Sequence, residues 1–536
     1  MTLKNRLFLV LGSNWLQYYF IRFGDNHTER SDIDKGENNM NKTYETLSLM
    51  LEKTMAIQTA LVLFEWDNET LAPEESGPYT ARVIGALSEE YYGFITGEEM
   101  GAAIEACEQD SGLTEIEQAV LKGAKEAREE LICIPKAEYR ENAQLIAEGA
   151  RIWFKAKKNE DYNSFVPTLE KVIDFKKKFA SYRKKEGQKL YDVILSEYEK
   201  GFDMELLDQF FGKLKEEIVP LLQEIKENGK EIDHSFLTGG YPREKQEEMA
   251  RFLAGYVGFD FERGVLSESA HPFTTNLHNH DVRITTSYHE KMDSSMFSVI
   301  HESGHGIYEL GISDEITQTP VGQGTSMGMH ESQSRFYENF IGRNPNFWIP
   351  LYDKLKELYP DKLKTVSIDQ YMEAINKVEP GFIRTEADEL TYSLHIMIRY
   401  ELEKMIVEED VDLKKLPEIW ADKYEEYLGI RPKNVSEGIL QDIHWSQGLF
   451  GYFPSYALGN AFGAQIYNHM KKNMDFDELL RNGKLTEIGE YLRDHIHKYG
   501  KMKTSREIIK LTTGEDFNPD YFIDYLKEKY RKLYDL

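Results

Sequence analysis

The chain has 536 residues and a formal charge of −28, from 93 acids against 65 bases, with 41% hydrophobic and 29% charged residues. That is the balance of a folded protein with enough chain for a large core. A surface this negative repels phosphate backbones and anionic headgroups, which argues against nucleic acid or a membrane as the main partner.

Two cysteines, Cys107 and Cys133, make neither a disulfide framework nor a thiolate zinc site. A reducing, cytoplasmic setting is therefore expected, and any metal must use histidine and carboxylate. At the N-terminus, Leu7-Phe8-Leu9-Val10-Leu11 is short for an export signal, and no small-residue cleavage site follows. Residues 25–42 are polar, and Met40 opens a helical pattern. Residues 1–39 thus read as a disordered extension or a start placed too early, and 40–536 as a single domain. No segment approaches the ~20 apolar residues of a membrane span.

Thr43 to Trp66 carries Leu47, Met50, Leu51, Met55, Ile57 and Leu61 at three-and-four spacing, which predicts a helix. Pro73 and Pro78 bracket a break, and helices resume over residues 79–195. Asp203 to Asn228 is amphipathic along Leu206, Leu207, Phe210, Leu214, Ile218, Leu221 and Leu222. Thr238-Gly239-Gly240-Tyr241-Pro242 reads as a turn, and Asp281 to Tyr288, β-branched and partly alternating, as a strand. A helix capped by Asp293 or Ser294 should run through Phe297, Val299, Ile300, Ile307 and Tyr308 to a stop near Gly311. A loop with Pro320, Gly322, Gly324 and Gly328 follows, and the rest is mostly helical. The expected fold class is mainly α, with one small sheet beside residues 270–330.

That last helix carries His301-Glu302-Ser303-Gly304-His305. Histidines four apart share a helix face and can hold one ion, while Glu302 is placed to take a proton from an attacking water. At this composition the five-residue pattern arises by chance in roughly one chain of this size in twenty-five. Its weight comes from the apolar, capped helix around it.

A catalytic zinc needs a third protein ligand. Gly311 stands where the metzincin pattern has its third histidine, which excludes that class. Glu309 is unsuited, because three successive i,i+4 groups span ~12 Å of helix axis. Glu331, in His330-Glu331-Ser332-Gln333 at the opening of a second helix through Phe336, Tyr337 and Phe340, is the better candidate; Glu315, in a loop, is the weaker one. Such a site hydrolyses an amide or ester. An exopeptidase acting on C-termini must also bind a carboxylate, for which Arg283 and Arg384 are candidates.

With these residues the chain resembles the Taq-type thermostable metallocarboxypeptidases. Five blocks besides the zinc helix carry the resemblance: His271-Pro272-Phe273, Asp281-Val282-Arg283-Ile284-Thr285, His330-Glu331-Ser332-Gln333, Ile383-Arg384-Thr385-Glu386-Ala387-Asp388, and Gly438-Ile439-Leu440-Gln441-Asp442-Ile443-His444-Trp445. Leu63-Phe64-Glu65-Trp66-Asp67 looks like the family's N-terminal helix. The resemblance runs from about Met40 to the C-terminus.

It implies a gluzincin-type helical body with a deep substrate groove, a homodimer, and a carboxypeptidase of broad specificity acting on peptides with a free C-terminus. It implies Zn²⁺ on His301, His305 and Glu331, with Co²⁺ or Mn²⁺ as substitutes, and Glu302 as general base. Arg384, joined by Arg283, would receive the substrate carboxylate. His444 and a tyrosine of Gly451-Tyr452-Phe453-Pro454-Ser455-Tyr456, Tyr456 before Tyr452, would lie near the scissile carbonyl. Asp388 and Asp442 would orient a ligand histidine or an arginine, or else serve as ordinary capping acids. Two alternatives are an oligopeptidase cutting internally with the same zinc, and a non-catalytic helical scaffold.

Overall fold

The computed structural model describes residues 41–536; the expectation for residues 1–39 lies outside them. α1 (Lys42–Thr70) starts at Asn41, whose side chain accepts from the Thr43 N–H. Pro73 ends it, and Pro78 sits in the first turn of α2 (Gly77–Thr96), where a missing N–H costs nothing. α3 (Glu98–Glu108), α4 (Glu115–Ile132), α5 (Lys136–Lys158), α6 (Tyr162–Arg183) and α7 (Met204–Asn228) follow. In α7 Asp203 is the N-cap and accepts from Leu206 N–H, and the stripe from Leu207 to Leu222 is buried.

The apolar interior falls into two clusters. A small one gathers Leu47, Leu51, Ile95, Met100, Ile104 and Val120 of α1–α4 with Ile312, Ile316 and Val321, while the larger one fills the rest of the body. α1 corrects one expectation: an 18-residue window of it is long and apolar enough to cross a membrane by length and composition, and only 17% of that window is buried. A count of uninterrupted apolar residues misses such a helix, because Glu52, Lys53 and Gln58 break the run while the many Leu, Ile, Val and Met residues around them keep the mean hydropathy high. Leu51, Thr54, Met55 and Gln58, one face of α1, wall a cavity of about 250 Å³ that also touches Tyr198, Glu199, Thr325 and Ser326.

After α8 (Arg243–Tyr256) come three strands, β1 (Gly264–Glu268), β2 (Thr274–His278) and β3 (Asp281–Thr286). β3 is central, parallel to β1 and antiparallel to β2. Only β3 is legible in the sequence, because its Val282 and Ile284 are fully buried while β1 and β2 have no fully buried face. Ile284 packs toward α9 (Met292–Leu310), where a Cβ on Gly306 would lie 3.1 Å from its methyl. Successive side chains alternate across a sheet, so Arg283 faces away from α9.

The expected cap of α9 is also corrected. Its N-cap is Lys291, with no side-chain cap bond, and Asp293 lies inside the first turn. Met292 is fully buried, and seating it starts the helix ahead of the polar candidates. α10 (Met327–Arg335), capped by Ser326 and continued by a π-helical segment Phe336–Gly342, crosses α9 very closely. A Cβ on Gly304 would stand 2.7 Å from the Gln333 carbonyl oxygen, so only glycine fits there. α11 (Glu389–Glu408), α12 (Leu416–Leu428), α13 (Phe453–Asn473) and α14 (Asp520–Tyr534) complete the body. α13 approaches α10 from the other side at Gly459, whose Cβ would meet Glu331 at 2.6 Å.

Candidate metal centre

The approach of α9 to α10 brings His301, His305 and Glu331 together, one ligand atom from each lying within 4.8 Å of the others. Glu331 Oε2 is 3.8 Å from His301 Nε2 and 3.7 Å from His305 Nε2. Tetrahedral zinc with ~2.0–2.1 Å bonds sets its donors roughly 3.4 Å apart, so the cage fits such an ion with a small contraction. Glu315, the other candidate, is an exposed loop residue outside this group.

Each ligand is braced from behind. His301 Nδ1 lies 2.9 Å from Glu338 Oε2, so it donates and turns Nε2 to the cage. His305 Nδ1 is 2.7 Å from His330 Nδ1, and His330 Nε2 is 2.7 Å from Glu309 Oε1. A carboxylate only accepts, so His330 donates from Nε2 to Glu309, and with Nδ1 accepting, His305 donates from its own Nδ1. Burial and the neighbouring His330 and His301 hold His305 well below the usual imidazole range, in the neutral form that ligates. Arg335 Nε donates to Glu331 Oε1 at 2.7 Å, leaving Oε2 to the cage. Arg335 also donates to Glu338, and despite burial the charges of Arg335 and Arg343, with the hydrogen bond from His301, hold Glu338 far below the carboxylate range.

Glu302 is buried beside the cage, and Thr274 Oγ1 on β2 donates to its Oε2 at 2.6 Å. Burial raises its carboxyl above the ordinary range, which makes it a better proton acceptor. Arg384 connects to the cage through two side chains. Its Nη1 donates to Tyr392 OH at 3.2 Å, and the Arg335 guanidinium lies 4.1 Å from the Tyr392 ring centre. Nε and Nη2 of Arg384 donate to Asp442 Oδ1 at 3.0 and 2.9 Å. Each terminal nitrogen keeps one N–H without an acceptor among the described residues, which suits a carboxylate held by two bonds.

His444 Nε2 is 3.2 Å from Tyr456 OH, and the Arg384 guanidinium lies 4.9 Å from the Tyr456 ring centre. Burial, with Arg384 and Arg399 nearby, lowers His444 to about 3 against the pull of Asp442, so it is neutral. Tyr452 is the neighbour of both, with ring centres 5.5 Å from His444 and 5.1 Å from Tyr456. Arg283 stands apart from this group: it donates twice to Asp281 of its own strand and lies 5.6 Å from the Trp66 ring centre. Asp442 orients arginines, Arg384 and Arg399, whereas Asp388 caps α11 through Thr391.

Thr274, Arg335, Glu338, Tyr392 and Arg399 were not singled out from the sequence. A signal existed for two of them. Glu331, Arg335 and Glu338 recur at four and three residues, the spacing of an ion-paired helix face. Glu331→Ala should reduce metal affinity by more than the ~10–100-fold typical of removing a residue that only braces a ligand. Zinc content after dialysis against a competing chelator measures it, and unchanged content would move the third ligand elsewhere.

The family model described as Carboxypeptidase Taq (M32) metallopeptidase matches residues 46–530. Carboxypeptidase 1 of Bacillus subtilis (strain 168) is 43% identical over 488 residues, covering 90% of this chain and 97% of that protein. Thermostable carboxypeptidase 1 of Pyrococcus furiosus is 37% identical, covering 91% of this chain and 99% of its own length. The crystal structure of an M32 carboxypeptidase from Deinococcus radiodurans R1 superposes with a TM-score of 0.90 at 30% identity, covering 92% of this chain and 100% of that one.

Proposed function

The chain belongs to the Taq carboxypeptidase family of metallopeptidases, and we propose that it removes residues one at a time from peptides with a free C-terminus. The observation that carries the reading is the short path from the cage to Arg384: Glu331, Arg335, Tyr392, Arg384. A cation with two spare N–H groups this close to a hydrolytic centre fixes a terminal carboxylate, and so fixes which bond lies over the cage.

In this reading His301, His305 and Glu331 hold Zn²⁺, with Co²⁺ or Mn²⁺ as working substitutes. Such an ion, when bound, polarises a carbonyl and acidifies a water. Glu302, oriented by Thr274, takes the proton of the attacking water and passes it to the leaving nitrogen. Arg384 holds the terminal carboxylate, with Asp442 and Tyr392 keeping its guanidinium flat against the site. Tyr456, paired with neutral His444, donates to the negative charge that develops on the carbonyl oxygen. Arg283 is assigned to the far face of the sheet, pinning β3 against Trp66. The substrate's upstream residues are assigned to the groove that the family resemblance implies. A homodimer in the cytoplasm completes the proposal; family resemblance supports the first, and two unpaired cysteines support the second.

Mass spectrometry of one unstructured peptide beside its C-terminally amidated twin, each with zinc-loaded protein, tests this function. The expected result is a ladder shortened from the free C-terminus, absent from the twin and abolished by chelator. Internal fragments from both peptides would establish the oligopeptidase instead, and no cleavage by metal-loaded protein would leave the scaffold reading.

A further inference from the structure

α11 turns three polar side chains toward one stretch of chain. Tyr392, Arg399 and Glu403 stand at i, i+7 and i+11, one face of the helix. Tyr392 meets Arg384, Arg399 Nε donates to Asp442 at 2.7 Å, and Glu403 reaches the loop that follows. The first two belong to the machinery already described. Glu403 does not, although it is fully buried and bears a carboxylate.

We propose that Glu403 is a positioning residue for the catalytic donors His444 and Tyr456, an inference that rests on the function proposed above for those two side chains. Glu403 Oε1 accepts from Trp445 Nε1 at 2.7 Å. Oε2 accepts from the Gly451 N–H at 2.7 Å and from Tyr191 OH at 2.7 Å. Trp445 directly follows His444, and Gly451 directly precedes Tyr452. One carboxylate therefore ties together both ends of the 445–451 loop and anchors them to α11. Within the loop the Trp445 and Phe450 rings stack at 5.9 Å, and Gly451 turns the chain into α13 with φ of 84°.

The match of donors to acceptor is specific. Burial pushes the Glu403 carboxyl up to about 7, against the pull of the Gly451, Trp445 and Tyr191 hydrogen bonds, and all three partners donate to a carboxylate that, when ionised, only accepts. Glutamine at 403 would aim its NH₂ at a donor and forfeit at least one bond. An apolar side chain of similar volume would leave Trp445 Nε1, the Gly451 N–H and Tyr191 OH buried without an acceptor. What the carboxylate adds is a defined path for the segment, and a ~1 Å displacement of a reacting group costs on the order of 100-fold in rate.

The experiment compares Glu403→Gln, Trp445→Phe and Tyr456→Phe, singly and as the doubles Glu403→Gln/Tyr456→Phe and Trp445→Phe/Tyr456→Phe. Bound zinc, kcat and KM are measured for each. Glu403→Gln should lower kcat by about 10–100-fold, with KM within threefold and full zinc content. Trp445→Phe keeps the ring stack and removes one donor, so its loss should be smaller and in the same direction. It also keeps the question answerable if Glu403→Gln fails to fold. Each double should be no slower than roughly its slower single variant, because Glu403 acts through Tyr456.

Fully additive losses would overturn the proposal. So would a fall in kcat that tracks the folded, zinc-loaded fraction, or unchanged kcat in both Glu403→Gln and Trp445→Phe. An unchanged Tyr456→Phe would instead overturn the role of the segment itself, which separates the two failures.

Discussion

Glu302→Gln should keep its zinc at the wild-type level and lose about 10³-fold in kcat, within the ~10²–10⁴ range of a positioned proton-transfer group. Glutamine preserves the shape on α9 and can still accept the Thr274 hydroxyl at its amide oxygen, so the cage built by His301, His305 and Glu331 is undisturbed. What disappears is the ability to take a proton. Burial raises the Glu302 carboxyl toward the basicity such a task requires, and the amide has none of it. The measurement pairs metal analysis with single-turnover rates. Turnover within tenfold of wild type, at full metal occupancy, would remove Glu302 as the base.

Arg384→Ala should lower kcat/KM on peptides with a free C-terminus by about 10²–10³-fold, equivalent to roughly 3–4 kcal/mol for a buried charge pair. Slow background cleavage of amidated peptides should change far less. Stability must be followed in parallel, because among the described residues the substitution leaves Asp442 ion-paired only with Arg399. Arg384→Lys separates the two effects: it keeps a charge for Asp442 but loses the planar fork. It should therefore restore more of the thermal stability than of the activity. Equal losses on free and amidated peptides would make Arg384 a structural residue.

The reading of the sequence succeeded wherever a property is written at short range. His301 and His305 fall on one helix face by spacing alone. Helix caps are local in the same sense, a side chain accepting from the first N–H groups as at Asn41 and Asp203, although the sequence reading named neither as a cap. The same logic failed at Asp293, because burial of Met292 outweighed a polar cap worth about 1 kcal/mol. Residue chemistry alone made Arg283 and Arg384 both candidates, and only the resemblance put Arg384 first. Only the alternation of β3 against α9 sends Arg283 to the Trp66 side while Arg384 lies two side chains from Glu331.

The amino-acid sequence by itself determined the helical character of this protein and the pairing of two histidines on one helix face, both of which depend on residue type and on spacings within one element. Tertiary structure decided the rest. Glu331 meets the histidines because Gly304 and Gly459 let α9 and α13 close on α10. Thr274 reaches Glu302 across a sheet, Glu309 backs His305 through His330, and Glu403 ties down a loop more than forty residues away. These pairings form between groups far apart in the chain, held by packing that no local pattern encodes.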